Sequence, residues 1–258
     1  MSQDLEVHLI PILSDNYAYC VHLKESNLGL VIDPGEAAPV LDFLEKHSIR
    51  LTHIWLTHFH SDHIEGVLEI QKATQCQIVG PAKEADRIPY LDSKVSDLDL
   101  LNFGSHKVKV IEVPGHTLGH IAYWFYKDDL LFCGDTLFSL GCGFLFEGTP
   151  KDMWGSLLKL RDLPPDTLIY CGHEYTEQNA AFALSVDPDN QDLIEFAKQV
   201  SLKRSQGNPT LPSVLKDEIM ANPFLRADLP YWKKQLNSPE ATPTEIFQIL
   251  RELKNEFK

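Results

Sequence analysis

The sequence predicts an α/β domain over residues 1–173 and a small helical domain over residues 174–258. Up to residue 173, short apolar runs alternate with amphipathic segments. Beyond that point no strand-like run is found, and helical patterns are separated by pieces rich in Pro and Asn. The chain has 258 residues, of which 43% are hydrophobic, so it is long enough to bury a sizeable core in two unequal domains.

The elements of this prediction follow in chain order. Strands are predicted for LEVHLIPI, YAYCVHL, LGLVID, LTHIWLT, QIVG, KVKVIEV, IAYWFY, DLLFCG and TLIYCG. Helices are predicted for EAAPVLDFLEKH, the segment after Asp62, MWGSLLKL, ALSVDPDNQDLIEFAKQV and EIFQILRELKNEF. The triplet Asp33-Pro34-Gly35 is interpreted as the turn that ends the third strand.

Composition and charge exclude several classes of function. The net charge of −14 repels nucleic acid, and no Lys/Arg-rich run offsets it. No stretch approaches 18 uninterrupted apolar residues, so no membrane span is expected. The N-terminal segment has no basic region and no cleavage site, so no leader is expected. Five cysteines without a C-x-x-C pair are expected to be free thiols in a reducing cytoplasm, and a monomer is the default expectation.

The strongest functional signal is the sequence THFHSDH at residues 57–63. His58 and His60 follow an apolar strand two positions apart, so an extended backbone directs both to one side. Asp62 and His63 come where the chain turns into a helix, so they point elsewhere. A solvated polar loop is the alternative, but three imidazoles and a carboxylate in six residues favour two adjacent metal ions. His58 and His60 would bind one ion, Asp62 and His63 the other.

Three further ligand-type residues, His116, Asp135 and His173, each follow an apolar strand and a Gly. Open α/β sheets gather their chemistry beyond the carboxyl ends of strands, so these residues are expected on one rim with His58. Seven ligands are too many for one tetrahedral zinc. We therefore expect two divalent ions, bridged by Asp135 and completed by His116 and His173 respectively. Zinc is the first expectation, and iron and manganese stay open.

The remaining histidines are not assigned as ligands. His120, four residues after His116, is interpreted as a residue that supports the site or belongs to the core. Structural or exposed positions are expected for His8, His22, His47, His53 and His106.

These motifs resemble those of the metallo-β-lactamase-fold hydrolases, in which T-H-x-H-x-D-H is followed by a distal His, Asp and His. Within that superfamily the chain resembles the glyoxalase II family, the hydroxyacylglutathione hydrolases. The resemblance implies a four-layer αβ/βα sandwich with a C-terminal helical domain that covers the substrate. It is carried by PGHTLGH at 114–120, GDTLF at 134–138, GCG at 141–143, CGHEYT at 171–176, NPFLR at 222–226 and RELKNEFK at 251–258.

The resemblance also implies the substrate and its contacts. It points to hydrolysis of S-(2-hydroxyacyl)glutathione, with S-lactoylglutathione giving glutathione and lactate in the second step of methylglyoxal detoxification. Tyr175, Arg251 and Lys254 match the residues that grip glutathione. Arg251 and Lys254 share a helix face, and an anionic substrate needs local cations in a chain of charge −14. Phe144 stands where the family commonly has a basic residue and receives no binding role, while Phe146 keeps an aromatic ring.

The expected reaction is attack of metal-activated water on the thioester carbonyl, with Asp62 and Asp135 as the catalytic residues. A thiol with a pKa near 8.5 leaves without a protein acid. No G-x-S-x-G motif is present and Cys142 has no evident base, so no acyl-enzyme is expected. Three alternatives stay open: a mononuclear-iron glutathione persulfide dioxygenase, a lactam hydrolase and a non-catalytic metal-binding module.

Overall fold

The computed structural model describes residues 4–257, which divide into two compact units. Unit 1 comprises residues 4–112 and 119–134, and unit 2 comprises residues 113–118 and 135–257. This division differs from the boundary at residue 174, which stays a prediction. Residues 1–3, in the segment where no leader is expected, and Lys258, the end of the resembling tail, lie outside the described residues.

Unit 1 contains two β-sheets. The first has six strands in chain order, antiparallel over the first three and parallel from the third to the sixth. Four antiparallel strands form the other sheet of this unit. The first sheet consists of β1 (Leu5–Ile12), β2 (Asn16–Leu23), β3 (Leu28–Ile32), β4 (Arg50–Trp55), β5 (Gln77–Pro81) and β6 (Ser93–Val95). The strands of unit 1 in the second sheet are β7 (Leu100–Phe103), β8 (His106–Glu112), β9 (Ile121–Phe125) and β10 (Leu130–Gly134).

Three helices accompany these sheets: α1 (Ala37–Lys46), α2 (Ser61–Ile64) and α3 (Val67–Thr74). The single helix predicted after Asp62 is therefore two helices. The chain breaks at Gly66 because its backbone N–H donates to the Pro34 carbonyl at 3.1 Å, where a side chain would collide. As a result Leu68, although at helical spacing, is 52% exposed.

An aromatic cluster joins the two sheets of unit 1. The ring of Trp55, the last residue of β4, lies 4.9 Å from that of Tyr123 and 6.0 Å from that of Phe125. The Tyr123 hydroxyl donates to the Leu56 carbonyl at 2.8 Å. These contacts fix the point at which the chain leaves β4, and the His-rich segment begins two residues after Trp55.

Unit 2 is mostly helical. Its strands are β11 (Leu137–Phe138), β12 (Gly141–Cys142), β13 (Leu168–Cys171) and β14 (Ser213–Val214). Its helices are α4 (Pro150–Arg161), α5 (Thr176–Val186), α6 (Gln191–Ser205), α7 (Leu215–Ala221), α8 (Tyr231–Gln235) and α9 (Pro243–Glu256). The expectation that no strand follows residue 174 is wrong in one respect, because β14 pairs antiparallel with β13.

The long helix predicted across residues 183–200 is interrupted between α5 and α6. The Asn190 side chain accepts hydrogen bonds from the backbone N–H groups of Asp192 and Leu193 at 3.1 and 3.2 Å and so caps α6. Asn at this position stabilises a helix start more than a continuing helix. The two-helix arrangement is therefore encoded locally.

An aromatic core explains why α4 groups with the C-terminal helices. Trp154 of α4 packs 6.2 Å from Phe247 of α9, and Phe247 packs 5.9 Å from Phe224. Phe224 lies in turn 5.9 Å from Phe182 of α5. Among the described residues, no helix is both long enough and apolar enough to cross a membrane.

We expect Thr242→Ala to lower the free energy of unfolding by about 1 kcal/mol. Thr242 begins α9 with a capping box, in which its side chain accepts from the Glu245 N–H and the Glu245 carboxylate accepts from the Thr242 N–H. Chemical denaturation measures the change. Thr244→Ala, the same substitution on the same helix without a cap, is the control, and an equal loss in both variants would contradict the cap.

Candidate metal centre

The segment after β4 holds its four predicted ligands in two pairs. His58 Nε2 lies 3.1 Å from His60 Nδ1, and His63 Nε2 lies 3.5 Å from Asp62 Oδ2. Two ligands of one tetrahedral zinc ion lie roughly 3.4 Å apart, given metal–ligand distances of about 2.1 Å. His60 is the extended residue before α2, so the pairs separate where the chain enters that helix.

Asp33 is a site residue that the sequence analysis missed. Its carboxylate accepts hydrogen bonds from the Thr57 N–H at 2.8 Å and the Thr57 hydroxyl at 2.6 Å, and it lies 3.0 Å from His63 Nδ1. Asp33 ends up here because β3 and β4 are parallel neighbours whose carboxyl ends meet. The location of an Asp directly after a predicted apolar strand was the sequence signal for this role, but the triplet Asp33-Pro34-Gly35 was interpreted only as a turn.

These hydrogen bonds set the tautomers of two predicted ligands. His63 Nδ1 donates to the Asp33 carboxylate, which leaves the lone pair of the ring on Nε2. The Thr57 hydroxyl donates to Asp33 and so accepts from His58 Nδ1 at 3.0 Å, which leaves the lone pair of His58 on Nε2. In both His58 and His63, the nitrogen available to a metal is therefore Nε2, the atom that lies close to His60 and to Asp62, respectively.

Asp62 and His58 have further supports within unit 1. Asn16, the first residue of β2, donates to Asp62 Oδ2 at 2.9 Å. Gly35 lies directly against the Asp62 backbone, where a β-carbon would overlap the carbonyl. The buried ring of His120 stacks on that of His58 with centroids 4.6 Å apart, which fits its interpretation as a supporting residue.

The other non-ligand histidines occupy varied positions. His106 is buried and its Nδ1 is hydrogen-bonded to Asp128 Oδ2 at 2.8 Å, which is a structural contact. His53 is half-buried beside Thr52. His8 and His22 are half-buried and His47 is exposed.

Unit 2 gathers the other three predicted ligands around one carboxylate oxygen. Asp135 Oδ2 lies 3.4 Å from His116 Nε2 and 3.2 Å from His173 Nε2, and all three residues are buried. His116 Nδ1 donates to the Phe144 carbonyl at 2.8 Å, so its lone pair is on Nε2. One carboxylate oxygen next to two imidazole nitrogens is a group of ligand atoms suited to a divalent metal ion.

Tight local packing positions these residues. The Ser156 hydroxyl of α4 donates to the Pro114 carbonyl at 2.7 Å and anchors the turn before His116. Gly143 lies against the Asp135 carbonyl, which leaves no room for a β-carbon. The Tyr175 ring stacks on that of His173, with centroids 4.6 Å apart and 8° between the planes. Tyr175 thus supports a predicted ligand in addition to its predicted substrate contact.

Arg251 is more deeply placed than a surface cation. It is 8% exposed, donates to the Cys142 carbonyl at 2.8 Å and to Asn255 Oδ1 at 3.0 Å, and lies over the Phe224 ring. Its contacts hold the Gly-Cys-Gly turn. Lys254 lies beside two aromatic rings, and burial, with a smaller effect of the Arg251 charge, lowers its pKa.

The loop around Cys142 is fixed by polar side chains from the helical segment. Asn222 donates to the carbonyls of Phe138 and Gly141 at 3.2 and 3.0 Å, and the buried Glu218 carboxylate accepts from the Leu140 N–H at 2.8 Å. Burial raises the pKa of the Cys142 thiol to about 11, so it is protonated at neutral pH. Nearby, the side chains of Phe144 and Phe146 are 45% and 64% exposed. Neither side chain carries the positive charge of the basic residue that the family commonly has at position 144.

We expect Asp33→Asn to weaken metal binding by about 10- to 100-fold. The Asp33 carboxylate accepts hydrogen bonds from three donors with two oxygens, whereas the amide of Asn has only one oxygen. The rings of His58 and His63 would therefore lose their fixed orientation. Chelator competition on the purified, metal-loaded protein measures the affinity. Asp42→Asn, on the exposed face of α1, is the control, and equal affinities in the two variants would contradict the orienting role.

Comparison with known proteins identifies the family. The model of the metallo-beta-lactamase superfamily matches residues 15–173, and that of the hydroxyacylglutathione hydrolase C-terminus matches residues 174–257. A hydroxyacylglutathione hydrolase of Rhodospirillum rubrum is 49% identical over 253 residues, which cover 98% of this chain and 99% of that protein.

Solved structures show the same fold. ETHE1 from Myxococcus xanthus superposes with a TM-score of 0.69 at 22% identity, covering 96% of this chain and 90% of that one. A di-iron-bound form of TTHA1623 superposes with a TM-score of 0.54 at 26% identity, covering 64% and 90%. The chain therefore has the metallo-beta-lactamase fold with a C-terminal helical domain, and it belongs to the hydroxyacylglutathione hydrolase family.

Proposed function

We propose that the chain hydrolyses S-(2-hydroxyacyl)glutathione thioesters to glutathione and a 2-hydroxy acid, with S-lactoylglutathione as the main substrate. Such a reaction forms the second step of methylglyoxal detoxification. The observation that carries the proposal is the near full-length similarity to a hydroxyacylglutathione hydrolase together with a complete set of metal-ligand side chains. The match over residues 174–257 supports the glutathione part of the substrate, because it concerns the segment specific to these hydrolases.

We further propose that two divalent metal ions are bound. His58, His60 and His116 would hold one ion, Asp62, His63 and His173 the other, and Asp135 would bridge them. The donor chemistry fits: hydrogen bonds at Nδ1 leave lone pairs on the Nε2 atoms of His58, His63 and His116, and the Asp135 oxygen lies near two imidazoles. Zinc suits this set of nitrogen and oxygen ligands. The di-iron-bound relative keeps iron as the second choice.

The ions would supply activation of water and polarisation of the thioester carbonyl. The residues of the chain supply orientation, through Asp33, Thr57 and the stacked rings around His58 and His173. The departing thiolate needs no proton donor, because a thiol pKa near 8.5 makes it a stable leaving group. Cys142 stays a neutral thiol and forms no acyl intermediate, since its pKa is raised to about 11.

The glutathione part is proposed to contact Tyr175, Arg251 and Lys254. Lys254 is the best-supported cation, since its ammonium group is half-buried among Phe182 and Phe257 and gains most from an anionic partner. Arg251 would act partly by positioning the Gly-Cys-Gly turn, because its guanidinium group donates a hydrogen bond to the Cys142 carbonyl. Phe144 contributes no charge, as expected from the sequence.

Location and assembly are also proposals. A reducing cytoplasm is supported by the cysteines, all five of which are buried and none of which forms a disulfide within residues 4–257. A monomer is proposed by default. The domain boundary at residue 174 is supported by the point at which the two family models meet.

The function is tested by incubating the purified protein with S-lactoylglutathione and following the loss of thioester absorbance, with metal content measured on the same sample. We expect chelator-sensitive hydrolysis and about two metal ions per chain. Oxygen consumption with glutathione persulfide, without thioester hydrolysis, would instead support the dioxygenase alternative. Similarity to ETHE1 at 22% identity shows only the fold and does not favour that alternative.

Asp135→Ala in the same assay should lower kcat by at least about 10²- to 10³-fold, the loss typical of removing one electrostatic contact with the reacting group. Metal content should fall below that of the unmodified chain, because the shared carboxylate is lost. Asp166→Ala, which breaks only an exposed ion pair with Lys216, should change neither quantity. Full turnover by Asp135→Ala would exclude the bridged arrangement.

Lys254→Met should raise KM for S-lactoylglutathione about tenfold and leave kcat nearly unchanged, because it removes a charged contact remote from the reacting carbonyl. The lactoyl thioester of N-acetylcysteamine, which lacks the carboxylates, should show no change in KM. Lys233→Met, on the exposed surface of α8, is the matched control. A fall in kcat with both thioesters would contradict the proposed contact between Lys254 and the glutathione part of the substrate.

A further inference from the structure

A second group of metal-ligand side chains lies on the first sheet, among residues that the proposed reaction does not use. Glu6 and His8 are two apart in β1, and Glu6 is directly opposite His22 of β2. Because side chains alternate along a strand, all three project from the same face. One ligand atom from each lies within 4.8 Å of the other two.

We propose that Glu6, His8 and His22 form a separate binding site for one divalent transition-metal ion. Two imidazoles and a carboxylate are the ligand types of three-residue zinc sites, with a fourth position left for water. Ligands of one ion lie roughly 3.4 Å apart, so ligand atoms that now lie within 4.8 Å of one another must move closer on binding. Glu6 can supply this movement, because its side chain is 44% exposed.

The two histidines are prepared for this role in different ways. His22 Nε2 lies 2.8 Å from Asn27 Oδ1, and donation to this oxygen leaves the lone pair of the ring on Nδ1. His8 Nε2 is buried and has no hydrogen-bonding partner among residues 4–257. Its nearest carboxylate oxygen, on Glu6, is 3.9 Å away, which is too long for a hydrogen bond.

The surroundings of His8 are aromatic and restrict its ring. Its centroid lies 5.1 Å from that of Phe43 and 5.8 Å from that of His47, both on α1. His47 itself stacks on Phe43 at 4.3 Å. A buried nitrogen that water does not reach gains more from a metal bond than an exposed one, since no hydration is lost.

One feature of the site opposes cation binding. Lys24 Nζ lies 3.1 Å from Glu6 Oε2, so an incoming ion must displace this ammonium group and overcome its charge. The site is therefore expected to be weaker than a site without a competing cation. Removal of the Lys24 charge should strengthen it, which distinguishes specific binding from adsorption to a chain of net charge −14.

The test is calorimetric titration of Zn²⁺ into the zinc-loaded protein in a buffer that does not coordinate metals. The same ion is already bound, so exchange at another centre gives no net uptake. We expect one additional equivalent, bound at least tenfold more weakly by His22→Ala and several-fold more tightly by Lys24→Met. His53→Ala, which alters a half-buried histidine of the same sheet outside the group, should bind like the unmodified chain.

Two results would overturn the proposal. One is the absence of an additional equivalent in the unmodified protein. The other is equal uptake and affinity in His22→Ala and the unmodified protein, which would assign the ion to another place. Glu6→Gln provides an independent variant at an exposed position, so a folding defect caused by one histidine substitution does not decide the outcome.

Discussion

The structure depends on a carboxylate that is buried beside two imidazoles. Asp135 places one oxygen 3.4 Å from His116 Nε2 and 3.2 Å from His173 Nε2. A buried carboxylate is costly unless cationic charge or hydrogen bonds compensate it, and a neutral imidazole whose lone pair faces it, as at His116, makes the cost larger. A bound cation resolves both problems at once. A divalent cation bound at Asp135, as proposed above, would therefore stabilise this buried group of side chains in unit 2.

In unit 1, hydrogen bonds fix the orientation of two predicted metal ligands. Asp33 accepts from Thr57 and His63, and Thr57 in turn accepts from His58, so one buried acid fixes two tautomers. A fixed tautomer matters because a ring whose lone pair is on the wrong nitrogen cannot bind a metal without first breaking a hydrogen bond. The parallel pairing of β3 and β4 makes this arrangement possible, since it brings Asp33 to the end of the next strand.

The sequence predicted the parts of this protein that depend on local spacing. The close pairing of His58 with His60 and of Asp62 with His63 follows from strand and helix periodicity, and the strands of unit 1 follow from apolar runs; the metal-ligand role of these residues stays a prediction. Asp33 was missed because its role depends on strand pairing rather than on neighbours in sequence. The break at Gly66 was missed because its cause, the Pro34 carbonyl, is 32 residues away, a tertiary contact that no local pattern contains.

The helical segment contributes in a way that composition does not reveal. Arg251, Asn222 and Glu218 all form hydrogen bonds with backbone groups of the loop at residues 138–142, so these three polar side chains help to position that loop. Lys254 is a cation whose charged form is disfavoured by burial, as its lowered pKa indicates. A carboxylate bound next to it would favour the charged form and raise that pKa again. With a substrate carboxylate bound beside Lys254, as proposed above, the free-energy cost of the partly desolvated ammonium group would be recovered, and the helical segment would favour anionic thioesters over neutral ones.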